Sequence, residues 1–323
     1  MTALLEIRAL TVDFTGLQPV RAVDGVGLVL GARERLAIVG ESGSGKSQLL
    51  LACTGLLAAN GRATGSVRFE GRELLGPGDA AAVARGRGIG FVFQDAAGSL
   101  TPHRRIGDQL TEVAMAAHGI SKGQAIDDAV AMLDRVRLPD AAEKMGAYPH
   151  ELSGGMRQRA AIALALVARP RVLFADEPTT ALDVTVQAEV MSLLDALCRD
   201  LGMALVLVTH DLGVVAALAE RVAVMYAGRF VEVGAADELL AHPAHPYTAG
   251  LLASVPALSS LDDSEFATIP GAPPRPGDSL PGCRFEPRCP RRRERCRVEE
   301  PLLAAGVIPH AACHFPIEAG QSP

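Results

Sequence analysis

Three glycines frame a lysine and a hydroxyl in Gly40-Glu41-Ser42-Gly43-Ser44-Gly45-Lys46-Ser47. The spacing, G-x-x-x-x-G-K-S, is that of a loop that cradles phosphate. Glycine lets the backbone close around an anion, so that N–H groups and the next helix N-terminus point at it. Lys46 adds charge for the β and γ phosphates, and the Ser47 hydroxyl suits Mg²⁺. A second element, Arg171-Val172-Leu173-Phe174-Ala175-Asp176-Glu177, ends an apolar run in two acids. Asp176 there can hold Mg²⁺, and Glu177 can orient and polarise an attacking water. Leu152-Ser153-Gly154-Gly155-Met156-Arg157-Gln158-Arg159 is another N–H-rich turn opening a helix, hence a second phosphate site. Together these residue types support in-line transfer of a γ-phosphoryl group to water.

Such groups must be held by rigid elements. Leu36–Val39 is a short apolar run before the glycine loop, and Lys46–Leu57 reads as the helix after it. Similar runs recur at Ile89–Phe93, Val172–Ala175, Leu205–Val208 and Val222–Met225. Helical stretches lie between several of them, which predicts a parallel sheet covered on both faces. Leu4–Phe14 and Ala22–Leu30 read as antiparallel strands separated by Gly16 and Pro19. Residues about 95–165 are mostly helical, a helical insertion in the sheet domain. There Ile106, Leu110, Val113 and Ala114 share a face, and Ser121 with Gln124 forms a capping box. The helix so capped is expected to turn Ile126, Val130 and Leu133 inward. Prolines crowd 256–282, an extended connection to a Cys-rich end.

The chain has 323 residues, 49% hydrophobic and 21% charged, enough to bury a core and about two domains long. Its net charge of −6 argues against a nucleic-acid-coating protein. No apolar run reaches the roughly 18–20 residues of a membrane span. The amino-terminal segment, with Glu6 and Arg8, lacks a signal peptide's apolar stretch. A soluble, cytoplasmic chain is the expectation.

The LSGGMRQR segment resembles the signature motif of ABC-type ATPases. The fold this implies is an α/β P-loop NTPase with an antiparallel β subdomain, a helical subdomain and, here, a Cys-rich C-terminal tail. Other motifs match in order. Phe14 resembles the aromatic that stacks on adenine, and Gln94 the Q-loop residue that reaches Mg²⁺ and the attacking water. Asp183 resembles the D-loop aspartate, and His210 the switch histidine at the γ-phosphate. In that family two subunits face head to tail, with each ATP between one phosphate loop and the other signature. The resemblance therefore places ATP against Gly40, Ser42, Gly43, Ser44, Gly45, Lys46, Ser47 and Gln48 of one subunit. Ser153, Gly154, Gly155 and Asp183 would come from its partner. Mg²⁺ would lie at Ser47, Gln94 and Asp176, and catalysis would rest on Glu177, His210 and Gln94.

A narrower resemblance follows from GESGSGKSQ, LSGGMRQR, ADEPTTALDVTVQAEV and HPYTAGLLASVP, which look like oligopeptide/dipeptide (and nickel) permease ATP-binding subunits. Gln48 and Met156 match one of the two subunit types that such importers pair. The implied domains are a nucleotide-binding domain at 1–255 and a connection with a Cys-rich domain at 256–323. The implied partners are a paralogous second ATPase, two transmembrane permease subunits and an extracytoplasmic solute-binding protein, with no nucleic acid. The implied location is peripheral, on the cytoplasmic face of the cell membrane. One departure is Ala96-Ala97-Gly98-Ser99-Leu100-Thr101-Pro102, which replaces the family's usual PxxSLNP-like stretch at the region facing the membrane partner. A nickel importer, a soluble ABC ATPase, and a redox-sensing or nucleic-acid-binding module are the alternative readings.

Cys283, Cys289, Cys296 and Cys313 follow C-x5-C-x6-C-x16-C. Four thiolates can hold Zn²⁺ or a 4Fe–4S cluster, and four unmetallated thiols are the third reading. GCRFEPRCP resembles the tail of peptide-permease ATPases, some of which carry an iron–sulfur cluster. Arginines 284, 288, 291, 292, 293, 295 and 297 surround the cysteines and are expected to offset a cluster's negative charge. Cys53 and Cys198, amid apolar residues, read as core.

Overall fold

The computed structural model describes residues 3–318 apart from 77, 181, 255–267, 276–277, 279 and 304–309. The expected boundary at 255/256 and much of the proline-rich connection lie outside the described residues. The strands are β1 (Ala3–Phe14), β2 (Val20–Gly31), β3 (Arg35–Val39), β4 (Gly61–Phe69), β5 (Arg72–Glu73), β6 (Ile89–Val92), β7 (Val172–Asp176), β8 (Ala204–Val208), β9 (Arg221–Tyr226), β10 (Arg229–Ala235) and β11 (His310–Ala311). The helices are α1 (Lys46–Thr54), α2 (Ala80–Arg87), α3 (Ala96–Ser99), α4 (Ile106–His118), α5 (Lys122–Arg135), α6 (Ala141–Lys144), α7 (Gly154–Leu166), α8 (Val184–Leu201), α9 (Leu212–Leu218), α10 (Ala236–Ala241), α11 (Pro246–Ala253) and α12 (Glu294–Val298).

Two sheets form. An antiparallel sheet runs β2-β1-β4-β5, and a mixed sheet runs β11-β10-β9-β3-β8-β7-β6. Within the second, β9, β3, β8, β7 and β6 are parallel, β10 returns antiparallel to β9, and β11 pairs antiparallel to β10. The expected parallel sheet is therefore extended by a mixed edge. The central strands β7 and β8 are buried at every position, as a sheet covered on both faces requires. Leu5, Ile7, Leu10 and Val12 of β1 pack with Leu49, Leu50 and Cys53 of α1 and with Phe174 of β7, so the two sheets share a core around α1.

Helix α1 is shorter than expected. Gly55 takes a left-handed conformation after Thr54; its N–H donates to the Ala52 carbonyl and the Leu56 N–H to the Leu51 carbonyl, which closes the helix. Helices α3–α7 fill residues 96–166, where Ile106, Leu110 and Ala114 are fully buried. Ser121 and Gln124 do form the capping box of α5. Its inward stripe, however, is Ala125, Ala129, Met132 and Leu133, and Ile126 faces outward at 38% exposure. Leu133 turns inward as expected, whereas Ala125 and Ala129 take the buried positions beside the expected Ile126 and Val130, and Val130 is half-buried. Cys53 and Cys198 are buried, and burial pushes both thiols up to about 12.

Candidate functional site

The parallel order β3-β8-β7-β6 sets four carboxyl ends side by side, the place where open α/β sheets receive ligands. The glycine loop follows β3, Asp176 ends β7, Gln94 lies just past β6, and His210 just past β8. Two glycines of the loop are forced by close approach. A Cβ on Gly40 would meet the Met225 carbonyl at 2.1 Å, and one on Gly45 would meet the Ala22 carbonyl at 2.3 Å. Lys46 is 5% exposed and folds over the loop, donating to the carbonyls of Gly40 at 2.8 Å and Glu41 at 2.9 Å. Burial pulls its ammonium below the usual lysine range, while the carboxylates of Glu177, Asp176 and Glu41 oppose the fall.

Ser47 Oγ donates to Asp176 Oδ1 at 3.0 Å, so the two expected Mg²⁺ ligands already touch. Burial raises Asp176 above the ordinary carboxylate range, with Ser47 opposing and Glu177 adding to the rise. Glu177 is the focus of the cluster. Its Oε2 accepts from Gln94 Nε2 at 3.3 Å and from Thr180 Oγ1 at 3.0 Å, and His210 Nδ1 stands 3.6 Å away. Glu177 has φ 44°, a left-handed conformation that non-glycine residues adopt only when their surroundings impose it. Its N–H, bonded to the Val208 carbonyl at 2.9 Å, is one such restraint. Thr180 gave no signal by itself in the sequence, because a threonine two residues past Asp-Glu-Pro is also an ordinary turn residue.

Phe14 ends β1 opposite Val20 and lies over Gly61, where a Cβ would meet its ring at 2.8 Å. Ser153 caps α7, its Oγ accepting from Met156 N at 3.3 Å. A Cβ on Gly155 would come within 3.1 Å of Val186. Asp183 caps α8 by accepting from Val186 N at 3.0 Å, so the signature turn and the D-loop are neighbours. Among the described residues no hydrogen bond or ion pair joins Ser153–Gly155 to the glycine loop of the same chain.

The C-terminal segment meets the glycine loop through a contact the sequence did not reveal. Arg288, 7% exposed, spends all five N–H groups: two on the Glu41 carboxylate at 2.8 and 3.0 Å, one on Tyr226 Oη and two on the carbonyls of Pro270 and Ile269. The Glu41 N–H donates to Tyr247 Oη at 2.9 Å. Tyr226, Tyr247 and Phe285 pack edge to face or tilted beneath it, all buried. Burying Phe285 alone is worth about 2 kcal/mol.

Cys283, Cys289, Cys296 and Cys313 border one small cavity of about 10 Å³ with His245 and Phe285. Burial, reinforced by the neighbouring thiols, pushes Cys283 and Cys289 up to about 11. Among the described residues no three His, Cys, Asp or Glu side chains are gathered closely enough to hold a metal ion. A ready-made ligand set is therefore not present. The four cysteines are the thiolate type that an iron–sulfur cluster takes, but as placed they do not form its site. Arg291 borders the cysteine cavity and favours the thiolates of Cys289 and Cys313, as expected, but four other arginines are engaged elsewhere. Arg284 pairs with Asp24 and Glu300, Arg288 with Glu41, Arg295 with Glu299 and Arg297 with Glu286, so carboxylates already balance them.

A phosphate loop, an acidic strand end, a Gln, a His and a signature turn on this fold define an ABC-type ATPase. Residues 23–180 match the ABC transporter family model, and residues 231–296 match the oligopeptide/dipeptide transporter C-terminal region. The oligopeptide transport ATP-binding protein OppD of Salmonella typhimurium is 50% identical over 98% of this chain and 94% of that protein. OppD of Escherichia coli is 48% identical over 98% and 94%. The dimeric ATP-binding cassette MJ0796, solved in a post-hydrolysis state with ADP and Pi, covers 72% of this chain and 98% of its own at TM-score 0.64 and 28% identity. The chain belongs to the family of oligopeptide transport ATP-binding proteins, the ATP-hydrolysing subunits of ABC importers. Among the described residues no helix is long and apolar enough to cross a membrane.

Proposed function

We propose that this chain hydrolyses ATP to drive oligopeptide import, from the cytoplasmic face of the membrane, through two separate permease subunits fed by a solute-binding protein. The observation that carries the reading is the convergence of Ser47, Asp176, Glu177, Gln94 and His210 at adjoining strand ends. The glycine loop amides and Lys46 bind the β and γ phosphates. Ser47 and Asp176 would hold Mg²⁺, which neutralises phosphate charge. Glu177 orients water for in-line attack on the γ-phosphorus, Gln94 steadies the water's position, and His210 contacts the γ-phosphate. Phe14 stacks on adenine. Residues 1–255 form the nucleotide-binding domain, with its helical subdomain at about 95–165, and 256–323 form the C-terminal domain. The pairing of most tail arginines with carboxylates leaves little basic surface for nucleic acid.

Ser153, Gly154, Gly155 and Asp183 complete the ATP site of a partner, a paralogous subunit in the working importer. Support comes from the signature turn's lack of any bond to its own glycine loop. Gly155→Asp places bulk and negative charge where the partner's ATP must approach. In homodimers of the isolated chain, mixing Gly155→Asp with Lys46→Ala subunits should restore part of the ATPase activity that each variant lacks alone. Full activity in either variant alone overturns the composite site.

The four cysteines hold a 4Fe–4S cluster in this reading, because four thiols bordering one small cavity are the donor type such a cluster takes. Anaerobically purified protein should be brown, absorbing broadly near ~400 nm. Cys289→Ser should bleach it while ATP binding persists. Colourless protein with one equivalent of zinc, or with no metal, overturns the cluster.

A further inference from the structure

A cavity of about 320 Å³ lies beside the glycine loop, bounded by Gly43, by Val20 and Ala22 of β2, and by Arg275 and Asp278 of the C-terminal segment. This position is informative. Phosphates belong over the loop amides, and the base belongs at Phe14, which pairs with Val20. The sugar between them must then pass the start of β2 and the loop tip, where this cavity opens. One wall is thus the nucleotide-binding core, and the other is supplied by residues more than 220 positions away in the chain.

That second wall is anchored. Arg284 bonds Asp24 and the Ala227 carbonyl, the Asp24 N–H donates to Gly228 O at 2.9 Å, and the Gly228 N–H donates to Ser44 O at 2.9 Å. Arg284 of the C-terminal wall is therefore linked bond by bond to the loop. Within that wall, Asp278 and Arg275 are bonded reciprocally: Asp278 Oδ2 accepts from Arg275 N at 2.8 Å, and Asp278 N donates to Arg275 O at 3.0 Å. These bonds hold the carboxylate at the cavity wall with Oδ1 unused among the described residues. The Arg275 guanidinium has no acidic partner among them, so it offsets the acid's repulsion of a polyphosphate.

We propose that Asp278 reads the ribose of ATP, its carboxylate accepting from the sugar hydroxyls in the way a strand-end acid reads a ribose in dinucleotide-binding folds. The C-terminal segment would then be part of the nucleotide site in cis. This rests on the ATP-binding reading above.

The test is equilibrium binding of MgATP, Mg-2′-deoxy-ATP and Mg-tripolyphosphate to the full-length chain. The wild-type protein should prefer ATP to 2′-deoxy-ATP by about tenfold, the worth of one hydrogen bond to a charged group. Asp278→Ala should bind ATP about tenfold more weakly and lose the preference, while tripolyphosphate binds as before. Asp278→Asn, which keeps one acceptor oxygen, should fall between. Unchanged tripolyphosphate binding also certifies that the loop is intact. A preference retained in Asp278→Ala, or absent in the wild type, overturns the ribose assignment alone. Loss of tripolyphosphate binding in Asp278→Ala overturns it as well, since the residue would then support the loop. Failure of the wild type to bind either ATP or tripolyphosphate overturns the ATP reading itself, and this one with it.

Discussion

Glu177→Gln should leave MgATP bound and stop its hydrolysis, lowering turnover by about 10²–10⁴-fold. The amide keeps the size of the carboxylate and can still meet Thr180 and Gln94, so the local packing survives. What it loses is the capacity to take a proton from water. The geometry makes this residue the pivot, since Gln94, Thr180 and His210 all converge on Oε2. Phosphate release by the assembled transporter, measured beside equilibrium ATP binding, separates the two effects. Turnover within a few-fold of wild type would remove Glu177 from its assigned role. Lys46→Ala should show the opposite pattern, with binding itself lost, because that side chain answers phosphate charge.

Arg288→Ala should cost about 3 kcal/mol of stability, the usual penalty for breaking a buried ion pair from one side. The Glu41 carboxylate would stay beside the glycine loop without its cation, and Tyr226 and the carbonyls of Ile269 and Pro270 would lose a shared donor. Arg288→Lys should recover little of this, because an ammonium offers three donors from a single point where the guanidinium supplies five in a plane. Thermal unfolding should fall by several degrees in both variants. A melting temperature within one degree of wild type for Arg288→Ala would show that the pair contributes nothing.

The site was legible where a motif's chemistry is local. The glycine loop announces itself because Gly40 and Gly45 must tolerate contacts that a Cβ forbids, and their spacing is fixed by one anion. Asp176 and Glu177 were legible only because a phosphate loop lies upstream, since two acids after a strand are by themselves often a helix cap. Arg288 was not, since its partner Glu41 lies 247 residues away and neither residue is unusual in its own stretch. Seven arginines among cysteines suggested charge balance for a cluster, whereas four of them, Arg284, Arg288, Arg295 and Arg297, are balanced by carboxylates. Helix α5 misled for a different reason. Its apolar residues, Ile126 and Val130, drew the stripe toward themselves, yet close packing selected alanines. Strand β4 was missed because it alternates exposed arginine, threonine and serine with few large apolar side chains. The pairing of β10 with β9 and β11 depends on chain reversal at Ala227–Gly228, which periodicity alone does not specify.

The two residues of β11 have a consequence out of proportion to their length. By pairing with Glu232 and Val233, they cover the outer margin of β10, which would otherwise present open N–H and C=O groups next to Phe230 and Val231. Uncovered margins of this kind invite strands of other chains and seed aggregation. The far end of the polypeptide thus works as a hem: proteolytic clipping ahead of His310 would turn a self-limited sheet into a sticky one, independent of anything that happens at the nucleotide.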